Sequence, residues 1–378
     1  MNNPIWLMTS AFPELTLDDI CRIANDVGVQ GLELCVFRKD SVRMDHTATH
    51  IEYEGFDSKR ASAYINYFNE RKLKLSLGAY DNMIGGEPEQ RMHNQNHLLR
   101  LIRIAALMGG NENGIHVGTF VGYKHDWPHE EGAFESNLFE FERVFKPIIK
   151  YAEAHNVTVV YENCPMEGWR SPGYFSFYNN LPATLAARKL MYTVLPSRAH
   201  GEIYDPSHDI WQHVDPCDVI EHSDISRIKS VHVKATRLLR NSTSIHWGMF
   251  FGKQQVPAEL ARKAGVPIPE HEWDRLSYEP MLPGFGGSDS MDWKKFLSTL
   301  MGKNFSGPFS IENEAVNSKG TENLQAIIQG FKGTVLNLMP AIWPLGETSG
   351  YHYDDSEYEP LKSVSLRNIP EVTMKNFV

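Results

Sequence analysis

Cysteine is scarce: four among 378 residues, and Cys21, Cys35, Cys164 and Cys217 are scattered without CxxC spacing. That excludes a disulfide framework or a thiolate zinc finger and leaves reduced thiols as the plain reading. Basic charge is also short, with 37 Lys and Arg against 47 Asp and Glu, a net charge of −10. No basic stripe offsets it, which argues against a nucleic-acid backbone or an anionic membrane as the main partner. No apolar run approaches the ~18–20 residues of a membrane span. Met1-Asn2-Asn3-Pro4 has no basic segment leading into an apolar core, so no signal peptide and a cytoplasmic location are expected. No Gly-rich phosphate cradle or Arg/Lys cluster appears, so a phosphorylated substrate is not supported.

What the chain has is alternation. Short apolar runs at 5–8, 31–36, 73–77, 114–118, 157–162, 201–205, 228–234 and 307–313 read as strands. Amphipathic stretches at 16–28, 57–71, 89–108, 136–155, 182–194, 218–223, 291–301 and 321–338 read as helices between and after them. Thr16 followed by Asp19 is a helix-start signature. Parallel neighbours need helical crossovers, so eight such units predict an α/β fold, a (β/α)8 TIM barrel spanning 1–339. An open doubly wound sheet is the alternative. Residues 239–290 form a long insertion after strand seven, rich in Trp247, Phe250, Phe251, Trp273 and Tyr278, and read as a lid. The tail 340–378 is expected to pack outside the barrel or against a partner.

Four strands end in a residue suited to holding a metal. They are Val159-Val160-Tyr161-Glu162, Glu202-Ile203-Tyr204-Asp205, Ser230-Val231-His232 and Phe309-Ser310-Ile311-Glu312. Barrel chemistry sits at the carboxyl ends of strands. Any one of these side chains alone reads as a surface carboxylate or helix cap; four on consecutive strands read as a set. Glu162, Asp205, His232 and Glu312 offer three oxygens and one imidazole, which suits one divalent cation. Mn²⁺ is the first choice, with Mg²⁺, Co²⁺ or Fe²⁺ as alternatives. Such an ion, bridging a sugar carbonyl and its neighbouring oxygen, acidifies the adjacent C–H. Isomerisation, epimerisation and elimination all start there.

Other residues are candidates around this set. His208, three after Asp205, could move a proton or bind a hydroxyl, against a plain helix-start histidine. Glu167 is a candidate substrate contact or base, against a solvated loop carboxylate. Lys234 and Arg237 could hold a sugar oxygen or neutralise an enolate, against an ordinary rim salt bridge. His116, read as ending the fourth strand, could face the mouth, against a core histidine. Asp45-His46-Thr47-Ala48-Thr49-His50 reads as a substrate loop rather than a second metal tract. Trp6, Phe37, Trp169 and Trp247 are candidates for a sugar-stacking face, of which two are expected to serve.

The segments Tyr161-Glu162-Asn163-Cys164-Pro165-Met166, Tyr204-Asp205-Pro206-Ser207-His208, Val231-His232-Val233-Lys234, Leu282-Pro283-Gly284-Phe285-Gly286 and Ile311-Glu312-Asn313-Glu314 resemble the xylose-isomerase-like sugar phosphate isomerase/epimerase superfamily, over roughly residues 5–335. In its ketose 3-epimerases, the resemblance implies, Glu162, Asp205, His232 and Glu312 bind Mn²⁺ or Co²⁺. Glu162 and Glu312 would also be the catalytic acid/base pair, with His208 and Arg237 near the substrate. Arg237 and Glu167 fit the family spacing only approximately. The insertion and tail are similar in architecture to subfamilies acting on 3-keto-glycosides, including catalytic subunits of C-glycoside deglycosylases, which pair with a small β-rich partner.

The expectation is therefore a metal-dependent isomerase or epimerase of an unphosphorylated sugar or keto-sugar. The alternative is a lyase that eliminates the aglycone from a 3-keto-glycoside. A carbohydrate ligand and a homo-oligomer are expected, a small second subunit being an alternative. An abasic-DNA hydrolase would need more histidines and a basic groove, and a non-catalytic sugar sensor would not need all four ligands.

Overall fold

The computed structural model describes residues 3–41, 47–124, 132–166, 179–239, 245–246, 258–267, 278–281, 290–314, 328–334, 358–362, 364 and 368–377. Strands β1 (Ile5–Met8), β2 (Gly31–Cys35), β3 (Lys74–Gly78), β4 (Val117–Thr119), β5 (Val159–Glu162), β6 (His200–Tyr204) and β7 (Ile228–Val233) are all parallel staves. After an antiparallel pair, β8 (Ala235–Leu238) and β9 (Tyr278–Met281), the eighth stave is β10 (Phe309–Ile311). The sheet closes in the order β1-β10-β7-β6-β5-β4-β3-β2, a (β/α)8 barrel.

Helices α1 (Leu17–Val27), α2 (Ser58–Glu70), α3 (Pro88–Leu107), α4 (Ala133–Ala154) and α5 (Leu185–Val194) follow the first five staves. Thr16 and Asp19 cap α1 reciprocally, and Gly28 closes it at φ 86°. Two short helices, α6 (Pro206–Trp211) and α7 (Pro216–His222), follow β6; α8 (Ala258–Ala264) lies in the insertion and α9 (Trp293–Gly302) precedes β10. Residues 328–334 are helical; the rest of the expected closing helix lies outside the described residues. Among the described residues no helix is long and apolar enough to cross a membrane.

The staves run buried on both faces, as parallel strands under a helical layer must. Large rings fill the interior where the same or a neighbouring stave offers glycine. A Cβ at Gly31 would collide with the Trp6 indole, and one at Gly78 or Gly118 with the Tyr80 ring. Strand four is shorter than expected. Gly114, at φ 71°, ends a preceding helical turn, and β4 begins only at Val117. His116 therefore enters the strand instead of ending it.

Sequence patterning missed the β8–β9 hairpin. It pairs Ala235 with Met281 and Leu238 with Tyr278, so the two ends of the insertion are clasped together directly beyond β7. Trp211 of α6 stacks on Tyr278 at 3.9 Å and donates from Nε1 to Thr236 Oγ1 at 2.7 Å, which fastens the hairpin to α6. The described parts of the tail lie on the barrel. Asn69 bonds both the N–H (2.7 Å) and C=O (2.9 Å) of Leu361, and Asn113 does the same for Lys362 at 2.7 and 3.2 Å. Leu361 and Ile369 join the hydrophobic core.

Candidate metal centre

Glu162, Asp205, His232 and Glu312 are all buried, and each contributes one ligand atom to a group whose members lie within 4.8 Å of one another. The staves place them. Glu162 is the last residue of β5, Asp205 follows β6, His232 lies near the end of β7, and Glu312 follows β10. Asp205 serves twice: its Oδ1 accepts the Ser207 N–H at 2.8 Å to cap α6, leaving Oδ2 for the cluster. Pro206 at the first helical position fits that cap.

Two asparagines that the sequence reading passed over fix the backbone here. Asn163 accepts from the Asp205 N–H at 2.7 Å and donates to its C=O at 2.9 Å. Asn180 donates to the carbonyls of Glu162 (3.0 Å) and Cys164 (2.8 Å) and accepts from Val121 (3.1 Å) and Gly122 (2.9 Å). Strand ends β4, β5 and β6 are thus locked by side-chain amides.

The imidazole of His232 is oriented from below by a residue absent from the expected set. Glu33, in the middle of β2 and fully buried, lies 3.1 Å from Nε2, and the Tyr80 hydroxyl donates to Glu33. With Nε2 turned to the Glu33 carboxylate, Nδ1 is the ring nitrogen turned to the cluster. It faces Glu312 Oε2 at 3.1 Å and Glu162 Oε1 at 3.4 Å. A carboxylate behind a ligating histidine fixes its tautomer and ring angle. One sequence signal marks Glu33: a single charge inside the apolar run Gly31-Leu32-Glu33-Leu34-Cys35, on a strand buried on both faces, must have an internal partner.

Charge balance sets the ionisation. Burial raises the Glu162 carboxyl, but the His232 imidazole, hydrogen bonds from His208 and His232, and Lys234 outweigh it and hold Glu162 well below the usual carboxylate range. Burial likewise opposes ionisation of Glu312, yet Lys234 and His232 bring it down to about 2 against repulsion from Glu162. For His208, burial pushes down while Asp205 and Glu162 pull up, with a net rise. Its Nε2 lies 3.0 Å from Glu162 Oε1 and 3.2 Å from Asp205 Oδ2, and its ring meets Trp211 edge-on at 4.4 Å.

The donor set fits a divalent cation. Asp205 Oδ2 and His232 Nδ1 are buried and close to charged neighbours, yet neither meets a partner in hydrogen-bonding geometry. Three carboxylate donors plus one imidazole nitrogen are what a hard to borderline ion requires.

The remaining candidates fall in different places. Lys234 is not at the rim: it is 1% exposed, with Nζ 2.9 Å from Asp205 Oδ2, 3.0 Å from Glu312 Oε2 and 2.9 Å from Glu314 Oε2. His116 does not face the mouth. It stacks on Trp6 at the entry end of the barrel, with centroids 6.4 Å apart, and burial brings its pKa down to about 4. Trp6 is thereby a barrel-filling ring, and Phe37 is fully buried. Arg237 pairs across the hairpin with Glu279. His50 is a core histidine, 2.9 Å from Thr9 Oγ1 and 3.0 Å from Phe12 O. Cys164 packs on Met166, sulfur to sulfur at 3.4 Å. Glu167, Trp169, Trp247, Asp45 and His46 lie outside the described residues.

The family model of the xylose isomerase-like TIM barrel matches residues 21–333. The chain belongs to that family. No curated protein matches it by sequence. Solved structures share its fold at low identity. D-Psicose 3-epimerase from Clostridium cellulolyticum H10, solved with D-tagatose, superposes with a TM-score of 0.58 at 11% identity, covering 90% of this chain and 99% of that one. The IolI protein with a bound zinc atom gives 0.57 at 13%, covering 91% and 100%. 3-Keto-D-glucoside 4-epimerase from E. coli gives 0.53 at 13%, covering 88% and 99%.

Proposed function

We propose that the chain is a divalent-metal-dependent isomerase or epimerase of an unphosphorylated sugar or keto-sugar. The observation that carries this reading is the convergence of Glu162, Asp205, His232 and Glu312 at the carboxyl ends of four neighbouring staves. An ion held there, Mn²⁺ by preference, supplies a Lewis acid for a substrate carbonyl and its neighbouring oxygen. Glu162 and Glu312 stand at the two ends of that arc of staves and are both kept ionised, so either can accept a proton from the C–H beside the carbonyl. One takes the proton and later releases it to solvent, while the other, loaded with a proton from solvent, delivers that proton from the opposite side, which inverts the carbon. Return to the neighbouring carbon gives an isomer instead. His208, wedged against Glu162 and Asp205, orients the substrate hydroxyl or shuttles the proton. Arg237, Glu167 and Trp247 are proposed as outer substrate contacts. Family membership and the sugar epimerases among the structural relatives support the reading.

Incubation of the Mn²⁺-loaded protein in D₂O with a panel of ketoses and keto-sugars tests it. Deuterium should enter beside the carbonyl, and the rate should fall about 10²–10⁴-fold in Glu162→Gln and in Glu312→Gln. Absence of exchange with every sugar in the panel would sink the proposal.

Elimination from a 3-keto-glycoside is the second reading. It is favoured by the hairpin, which roots the aromatic insertion directly after His232 and Lys234. Release of free aglycone from a 3-keto-glycoside, with no deuterium exchange into ketoses, would replace the first reading by this one.

A further inference from the structure

A buried lysine among metal-binding carboxylates needs a reason. Lys234 projects from just beyond β7 into the cluster, and its Nζ has three oxygen neighbours at 2.9–3.0 Å: Asp205 Oδ2, Glu312 Oε2 and Glu314 Oε2. An ammonium has three N–H donors and no acceptor. Glu312 Oε2 accepts one of them, while the Asp205 and Glu314 oxygens stand at ion-pair distance. Two of the three oxygens belong to residues of the ligand set, while Glu314 is the outermost and 34% exposed at its side chain. The indole of Trp211 covers the amine, with its centroid 5.7 Å from Nζ.

We infer that Lys234 is a positioning residue, a resident cation that holds Asp205 and Glu312 in place before a metal ion arrives and remains beside the ion afterwards. The physics has two parts. Glu162, Asp205 and Glu312 are gathered in a buried space where like charges repel strongly, so without a cation the cluster would destabilise the barrel. A fixed positive charge at hydrogen-bonding distance from two ligand residues also repels any incoming metal. The lysine therefore keeps the apo-barrel folded, weakens metal binding and disfavours ions of higher charge. This inference rests on the metal-binding part of the proposed function and not on its reaction. A protein that binds Mn²⁺ but exchanges no sugar proton still tests it.

The experiment uses the full-length protein stripped with chelator, comparing wild type, Lys234→Met and Lys234→Arg by calorimetric melting and Mn²⁺ titration. Lys234→Met should melt roughly 5 °C or more below wild type without metal. It should bind Mn²⁺ at least about tenfold more tightly, since a repelling charge is gone. Tb³⁺, detected by luminescence sensitised from Trp211, should bind Lys234→Met and not wild type. Lys234→Arg, which keeps the charge, should restore the wild-type melting point and stay within about threefold in Mn²⁺ affinity. Unchanged or weaker Mn²⁺ binding by Lys234→Met would overturn the inference, as would failure of arginine to restore the melting point. Should Lys234→Met be recoverable only when expressed with Mn²⁺, that supports the inference; if it is insoluble with and without the ion, the lysine is needed for packing and the inference falls.

Discussion

The two halves of this barrel carry different loads. Staves β5, β6, β7 and β10 deliver Glu162, Asp205, His232, Lys234 and Glu312 to the mouth. Staves β1 to β4 deliver no ligand; they contribute Trp6, Glu33, Tyr80 and His116, three rings that fill the interior and one carboxylate that aims His232. One half presents chemistry and the other supports it from within. The supporting half also buries titratable groups, so these should respond to pH and mutation in their own way.

The largest expected effect in the supporting half is in acid. Burial brings His116 down to about 4, against an ordinary 6.5, with Glu33 opposing the shift. The fold therefore favours the neutral ring. Its contribution is full above pH 6.5 and is lost as pH falls toward 4, because the unfolded chain takes up the proton first. A shift of that size corresponds to about 3 kcal/mol. His116→Phe keeps a ring against Trp6 without a titrating group, so urea titrations from pH 7 to 4 should show about 3 kcal/mol less acid destabilisation than in wild type. Equal acid sensitivity in the two proteins would place the acid response elsewhere, with the similarly buried His97 and His200, both near 4, as the next to replace. Metal binding at pH 7 should be unchanged in His116→Phe, because the ring is neutral there and precedes β4, whereas the clustered residues lie at the carboxyl ends of their staves.

Glu33→Gln crosses the divide between the halves. The amide keeps the shape but no longer stabilises the His232 tautomer that leaves Nδ1 free, and removing such a partner weakens metal binding by about 10–100-fold. Elemental analysis after dialysis against graded Mn²⁺ measures this. Wild-type affinity in Glu33→Gln would mean the second half assembles its site unaided, and the two halves would be independent.

What could be read from the sequence follows the same divide. The four clustered residues are legible because each closes an apolar run with a carboxylate or imidazole, and the pattern repeats on consecutive strands. Glu33 is carried by a similar run but sits mid-strand, where a lone charge gives no hint of which histidine it will meet. Asn163 and Asn180 act on backbone groups, a role that any loop asparagine could fill. The β8–β9 hairpin was invisible because its partners lie on either side of the insertion, and periodicity reports no pairing across such a distance. At α6 the sequence offers Asp205 as ligand or as helix cap, and the geometry makes it the cap while leaving its second oxygen in the cluster. His116 was misplaced by the glycine-rich approach to β4, which looks strand-like until Gly114 turns at positive φ.

The smallest expected effect falls on Arg237, and it decides what the hairpin is for. Its guanidinium pairs with Glu279 across β8 and β9, with side chains 39% and 24% exposed. An ion pair that open to water contributes about 0–1 kcal/mol, since solvent screens it and two long side chains must be ordered to make it. The backbone pairing and the Trp211–Tyr278 stack hold the hairpin without it. Arg237→Ala should therefore melt within a few degrees of wild type and load Mn²⁺ normally. A rise in KM at unchanged kcat would then show that the arginine leaves Glu279 for the substrate when one is bound. Unchanged KM as well would confine Arg237 to the hairpin and leave substrate recognition to groups nearer the ion.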